Sequence, residues 1–194
     1  MAQKSKKNNN TNSLRIIGGL WRGRKLSFPS IDGLRPTSDR IRETVFNWLA
    51  PIITESRCLD LFAGSGALGF EAASRGAASV VMVEADARAY QQLKQHQQLL
   101  TAQQCELYLA QAQTVLAQLT GQFDVVFIDP PYQAQLWTNI AQQLTRQQLL
   151  RHEARIYLEY PRQQGMPALP ESWVLLREKR AGDVVYCLFA FQEP

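Results

Sequence analysis

From residue 58 onward the chain alternates short apolar runs with stretches of helical period. The runs are CLDLF (58–62), SVVMVE (79–84), ELYLA (106–110), FDVVFID (123–129), RIYLEY (155–160), WVLLREK (173–179) and DVVYCLFAF (183–191). Apolar runs of this length, bounded by turn residues, read as buried strands. Helices are predicted between the first five, over about 66–75, 86–99, 111–119 and 134–145. Strands alternating with helices predict a parallel sheet covered on both faces. Only Arg180-Ala181-Gly182 joins the last two strands, so they must pair antiparallel. The segment PRQQGMPALPES after Tyr160 is too short and proline-broken for a full crossover helix. The expected fold is α/β: a seven-stranded, mostly parallel sheet with a C-terminal antiparallel hairpin.

The first fifty residues follow another pattern. LRIIGGLWRGRKLSF (14–28) predicts a small β-hairpin turning near Gly18-Gly19. LRPTSDRIRETVFNWLAP predicts a helix capped by Ser38 or Asp39, with Ile41, Val45, Phe46 and Leu49 at helical spacing and Pro51 as its stop. The domain reading is a disordered basic tail (1–12) and a single domain (13–194). Within it, 13–50 is the N-terminal hairpin and helix, and 51–194 the α/β core.

Charge changes the picture of that first segment. Residues 1–42 carry ten Lys/Arg against two Asp, and the remainder eleven against fifteen acids. A basic segment on a neutral-to-acidic body suits a polyanion partner. Arg15, Arg22, Arg24 and Lys25 surround Trp21 on the hairpin, a mixture that allows phosphate pairing and base stacking together. Lys4, Lys6 and Lys7 fit a solvated tail equally well.

The other bulk properties mostly exclude. The content of 194 residues, 45% hydrophobic, suffices for one sizeable core. No apolar run is long enough to span a bilayer, and the polar N-terminus lacks the apolar region of a secretory signal. Cys58, Cys105 and Cys187 are odd in number and lie in apolar segments, so they read as core thiols in a reducing cytoplasm. His96 and His152 have no ligand spacing and read as surface residues, and no metal site is expected.

Chemistry enters at residues 124–132, DVVFIDPPY. An apolar strand stops at a carboxylate, two prolines and an aromatic ring. The strand end of an open parallel sheet is where ligands sit. Asp129 and the Pro130 carbonyl can accept hydrogen bonds from an exocyclic NH2 group. Tyr132 offers a face on which a base can stack, worth about 1–3 kcal/mol. By itself, Asp129 could equally be a capping residue in a turn.

The glycine loop after the first parallel strand is ambiguous when read alone. Gly64, Gly66 and Gly69 match the G-x-G-x-x-G dinucleotide pattern, and Glu84, twenty residues after Gly64, can accept the hydroxyls of a ribose. Two features disfavour a nicotinamide cofactor. Asp60 just before the loop would repel a pyrophosphate but attract the ammonium of an amino-acid cofactor. Nothing downstream resembles a hydride-transfer acid/base set. S-adenosylmethionine suits both ends of the loop, while Asp60 could also simply organise the loop by accepting backbone N–H groups.

The segments DLFAGSG (60–66) and Asp129-Pro130-Pro131-Tyr132 resemble class I S-adenosylmethionine-dependent methyltransferases that act on exocyclic amines. With GGLWRGRKL (18–26), LRPTSDRIRETVFNWL (34–49), CLDLFAGSGALGFEAASRGA (58–77) and REKRAGDVVYCLF (177–189), the chain is similar to the bacterial 16S rRNA (guanine-N2)-methyltransferase family over nearly all of 14–191. The resemblance implies a Rossmann-like methyltransferase fold and the N2 of a guanine in small-subunit ribosomal RNA as target. It implies a cytoplasmic monomer acting on an assembled or assembling subunit. Asp60, Phe62, Ala63, Gly64, Ser65 and Gly66 would form the cofactor loop, with Glu84 and Ala85 at the ribose and Asp129 facing both cofactor and base. Arg35, Thr37 and Arg40 would flank the active-site mouth. Many relatives carry Asp or Asn at the adenine; this chain has Gln111, which can also donate and accept. Alternatives are a DNA adenine-N6 or cytosine-N4 methyltransferase, and a catalytically silent RNA-binding assembly factor.

Overall fold

The computed structural model describes residues 11–29 and 37–193. In chain order the elements are β1 (Thr11–Arg15), β2 (Lys25–Pro29), α1 (Asp39–Leu49), β3 (Arg57–Asp60), α2 (Ala67–Ser74), β4 (Ser79–Glu84), α3 (Ala87–Leu100), β5 (Cys105–Leu109) and α4 (Ala112–Leu116). There follow β6 (Phe123–Ile128), α5 (Trp137–Arg146), β7 (Leu150–Pro161), β8 (Trp173–Ala181) and β9 (Val184–Phe191). Strands β1 and β2 form an antiparallel ribbon. The main sheet has the order β5-β4-β3-β6-β7-β9-β8.

Strands β3 to β7 are mutually parallel, and β9 pairs antiparallel with both β7 and β8. The chain runs outward from β3 to β4 and β5, then returns to place β6 on the other side of β3. That reversal opens a crevice at the carboxyl ends of β3 and β6, the usual ligand position in such sheets.

Period-two alternation sorts side chains between two cores. Val125 and Phe127 of β6 join Val45, Phe46, Phe70 and the hairpin residues Leu14, Leu26 and Phe28 on one face. Val126 and Ile128 join Val115, Ile140 and Leu144 on the other. Each fully buried side chain of this kind contributes about 1.5–3 kcal/mol. Helix α1 begins at Ser38, whose hydroxyl accepts the Ile41 N–H. No helix among the described residues is long and apolar enough to cross a membrane.

Several boundaries differ from expectation. Residues 11 and 12, expected in the tail, open β1, where pairing with β2 recruits them. Residues 1–10 lie outside the described residues. Strand β7 starts at Leu150 rather than 155, because Leu150 already pairs with Phe123. A 3-10 turn (Tyr132–Ala134) precedes α5, which begins at Trp137. His96 is not a surface residue: it is 2% exposed, and its ring Nε2 lies 2.9 Å from the Ser27 carbonyl, joining α3 to β2. The three cysteines are buried free thiols, pushed by burial up to about 12.

Candidate active site

The glycine turn leaves β3 and enters α2 at Gly66, which takes φ 83°. A side chain there is excluded twice, because a Cβ would also sit 2.4 Å from the Phe70 ring. At Gly69 a Cβ would come within 2.7 Å of Met82, so its absence lets α2 lie close on β4. Asp60 is buried at the end of β3 and accepts the backbone N–H groups of Phe62 and Gly69, the latter at 3.0 Å. Burial pushes its carboxyl up to about 7, and the nearby Glu84 carboxylate adds to the shift.

Glu84 ends β4 and accepts two backbone N–H groups at 2.7 Å, from Gly64 and from Asp86. It thereby ties the turn to the start of α3, which Asp86 caps. Each carboxylate oxygen keeps further acceptor capacity for a hydroxyl. Ala85 is exposed beside it, and exposed Gln111 starts α4 at the neighbouring strand end, where the Ala110 N–H bonds the Glu84 carbonyl. Phe62 and Gly64 are half-buried, Ala63 and Ser65 buried. A pair of positive-φ glycines with carboxylates at both ends is a donor set suited to S-adenosylmethionine: acceptors for a ribose and negative charge for a cationic amino-acid end.

Strands β3 and β6 are adjacent, with Asp60 opposite Phe127 and the Leu61 N–H on the Phe127 carbonyl. The glycine turn and the Asp-Pro-Pro-Tyr segment therefore leave one crevice side by side. Asp129, half-buried there, accepts the Thr37 hydroxyl at 3.4 Å. Its carboxyl is raised well above the ordinary range by burial first, then by the negative charges of Glu159 and Asp60. Pro130 is buried. Tyr132 is half-buried, with its ring stacked 6.4 Å from that of Trp137.

Of the expected RNA contacts, Arg15, Arg22, Arg24, Lys25 and Arg40 are exposed. Arg15 pairs with Asp39 at 3.5 Å, and Arg24 donates to the Leu99 carbonyl. Trp21 corrects the reading of the hairpin. It is 7% exposed and belongs to the core, so it offers no stacking face. Thr37 lies at the crevice, where its hydroxyl meets Asp129. Arg35 lies outside the described residues.

Two carboxylates went unnoticed in the sequence. Glu71 of α2 accepts the Ile17 and Gly18 N–H groups at 2.8 Å and the Arg75 side chain at 2.7 Å, and stands 3.7 Å from buried Arg42. Ser74 adds to this seam by accepting the Trp21 N–H and donating to the Gly18 carbonyl. Glu159 stands between buried Leu158 and Tyr160 in β7 and accepts from Tyr132 and Tyr157. Its signal was visible as the one acid interrupting RIYLEY; that of Glu71 was not, because the backbone groups it anchors, Ile17 and Gly18, lie more than fifty residues away.

A doubly wound sheet of this order, with a glycine turn and an Asp-Pro-Pro-Tyr segment at adjacent strand ends, defines a Rossmann-like methyltransferase. Residues 14–190 match the family described as Conserved hypothetical protein 95, and the chain belongs to that family. It is 47% identical over 186 residues to ribosomal RNA small subunit methyltransferase D of Escherichia coli, covering 95% of this chain and 94% of that one. The protein of the same name from Haemophilus influenzae is 46% identical over 180 residues, 91% of this chain and 93% of the other. The solved structure of yhhF from Escherichia coli matches with a TM-score of 0.87 at 44% identity, over 93% of this chain and 99% of that chain.

Proposed function

We propose that this methyltransferase transfers the methyl group of S-adenosylmethionine to the exocyclic N2 of a guanine in small-subunit ribosomal RNA. The observation carrying the proposal is the register of β3 against β6, which sets Asp60 and Asp129 at neighbouring strand ends within one crevice. The relatives' names, and the basic hairpin on the same body, support ribosomal RNA as the substrate. The reading includes a cytoplasmic monomer without a metal, acting on an assembled or assembling subunit.

When bound, S-adenosylmethionine supplies a methyl carbon already activated by its sulfonium. The residues of this chain must then orient a poor nucleophile, because the guanine N2 lone pair is delocalised into the ring. Asp129 and the Pro130 carbonyl each accept one N–H of the amine, which favours a pyramidal nitrogen with its lone pair directed at the carbon. Orientation of this kind can supply up to roughly 7–11 kcal/mol of a barrier. Acceptors fixed where positive charge develops on nitrogen add an electrostatic contribution. The departing N2 proton passes to Asp129, whose raised affinity for protons suits it as the acceptor. Tyr132 stacks on the base once the nucleotide is splayed from its loop. Asp60 holds the cationic end of the cofactor, Glu84 the ribose and Gln111 the adenine.

The test is to incubate the protein with labelled S-adenosylmethionine and either naked small-subunit RNA or assembled subunits, then digest to nucleosides. Label in N2-methylguanosine is expected. Label in N6-methyladenine or N4-methylcytosine of a DNA substrate, or no label in any nucleic acid, overturns the proposal.

A further inference from the structure

Glu159 is the least expected group at the mouth of the crevice. Parallel pairing places Ile128, the last residue of β6, opposite Leu158, so Asp129 leaves β6 beside Glu159, two residues before the end of β7. Neighbouring strands stand about 4.8 Å apart, which brings two carboxyl groups together. Glu159 is 6% exposed. Its Oε1 accepts the Tyr132 hydroxyl at 2.8 Å, and its Oε2 accepts the Tyr157 hydroxyl at 2.7 Å. Its main-chain carbonyl accepts the Trp137 indole N–H at 2.7 Å.

These contacts converge on one ring. Trp137 stacks against Tyr132, and the same Glu159 residue receives the indole through its carbonyl and the phenol through its carboxylate. The 3-10 turn carrying Tyr132 is thus fastened to β7 at both the ring's edge and its backing. Tyr157 in turn is seated in the core against Phe127, which leaves the carboxylate little freedom to move. A residue that served only to fill the end of β7 would not need a carboxylate, because burying one costs several kcal/mol unless its oxygens are paired.

We infer that Glu159 is a positioning residue for methyl transfer, holding the Tyr132 ring as the stacking face for the target base and keeping a carboxylate beside Asp129. The inference rests on the proposed base methylation and assigns Glu159 its part in it. Among the described residues, the groups facing Asp129 are Glu159 and Tyr157 from β7, Asp60 from β3 and the Thr37 hydroxyl. Removing the Glu159 carboxylate therefore removes one of two negative neighbours that disfavour ionised Asp129.

The experiment compares Glu159→Gln, Tyr132→Phe and the double variant with the wild-type chain on both naked small-subunit RNA and assembled subunits, measuring kcat, KM and kcat against pH on the form that the wild-type chain methylates. Misplacing a reacting group slightly can cost on the order of a hundredfold, so each single variant is expected to lose roughly ten- to a hundredfold in kcat/KM. The double variant should lose little more than either alone. The acid limb of the Glu159→Gln profile should move to lower pH, and binding of S-adenosylhomocysteine should be unchanged. Wild-type kinetics and an unmoved acid limb in Glu159→Gln overturn the inference. So do additive losses in the double variant, or a parallel loss of cofactor affinity. If Glu159→Gln does not fold, the Tyr132→Phe variant decides alone: undiminished kcat/KM overturns the role of the clamp. A wild-type chain that forms no N2-methylguanosine would instead sink the proposed function, which is a separate failure.

Discussion

Replacing Glu71 by Ala removes the anchor of the N-terminal hairpin, and its cost can be worked from the contacts. The carboxylate and its partner Arg42 are both 0% exposed. Two backbone N–H groups, of Ile17 and Gly18, lose a charged acceptor at 2.8 Å; bonds to charged groups contribute roughly 1.5–3 kcal/mol each. Arg42 would keep Asp39 at 2.6 Å and the Arg15 carbonyl at 2.8 Å, which moderates the loss on that side. Breaking a buried pair typically costs about 3–5 kcal/mol, and the contributions overlap because they share one carboxylate. A total near 4 kcal/mol is a large part of the roughly 5–15 kcal/mol that stabilises most proteins. At about 2–4 °C per kcal/mol for a chain of this size, the melting temperature should fall by about 8–16 °C. Calorimetry measures this directly, and amide exchange at Ile17 and Gly18 should accelerate most. Glu71→Gln should lie between, since its carbonyl can still accept one N–H. A melting temperature within about 2 °C of wild type, with those amides still protected, would refute the argument that this seam holds the hairpin.

Three further outcomes follow from the site. Asp129→Ala should lower kcat by a hundredfold or more, on the order of a lost electrostatic contact in a transition state, while cofactor affinity changes little; equal losses in both would make the residue structural. Replacing Arg22, Arg24 and Lys25 together with Ala should weaken RNA binding and reduce the slope of log K against log salt by about 2, and an unchanged slope would remove the hairpin from the RNA interface. Cofactor affinity should rise with pH through about 7, because a cationic end favours ionised Asp60. The sign follows from its carboxyl being raised from 3.8: the unbound fold gains stability from this group below 3.8 and has lost that contribution above about 7. Titration calorimetry from pH 5.5 to 8.5 that showed flat affinity would contradict it.

The sheet could be read in advance because β3, β4, β6 and β9 are buried on both faces and therefore appear as continuous apolar runs between glycine and proline breaks, although the equally apolar start of β8 lies on an exposed edge strand. The glycine turn and the Asp-Pro-Pro-Tyr segment were equally visible, since both are local patterns of special residues. What stayed hidden depends on partners distant in the chain. Trp21 among four cations looks like a nucleic-acid contact, yet Ser74 takes its N–H and the core covers its ring. His96 sits in a run of glutamines and looks solvated, yet it faces Ser27 across sixty-nine residues. Glu159 gains its meaning only from β7 lying next to β6, and no local pattern states that adjacency. The early start of β7 has the same origin, since Leu150 extends because Phe123 offers it a partner.

The register between β3 and β6 has one more consequence. Side chains on a strand alternate between faces, so sliding β6 by a single position would turn Asp129 away from Asp60 and toward α5. Every apolar contact on both faces of β6 opposes such a slide. Alignment of the two reacting partners is thus guarded by hydrophobic mass remote from the crevice, and a deletion within Val125–Ile128 would silence the enzyme without touching a residue that meets either substrate.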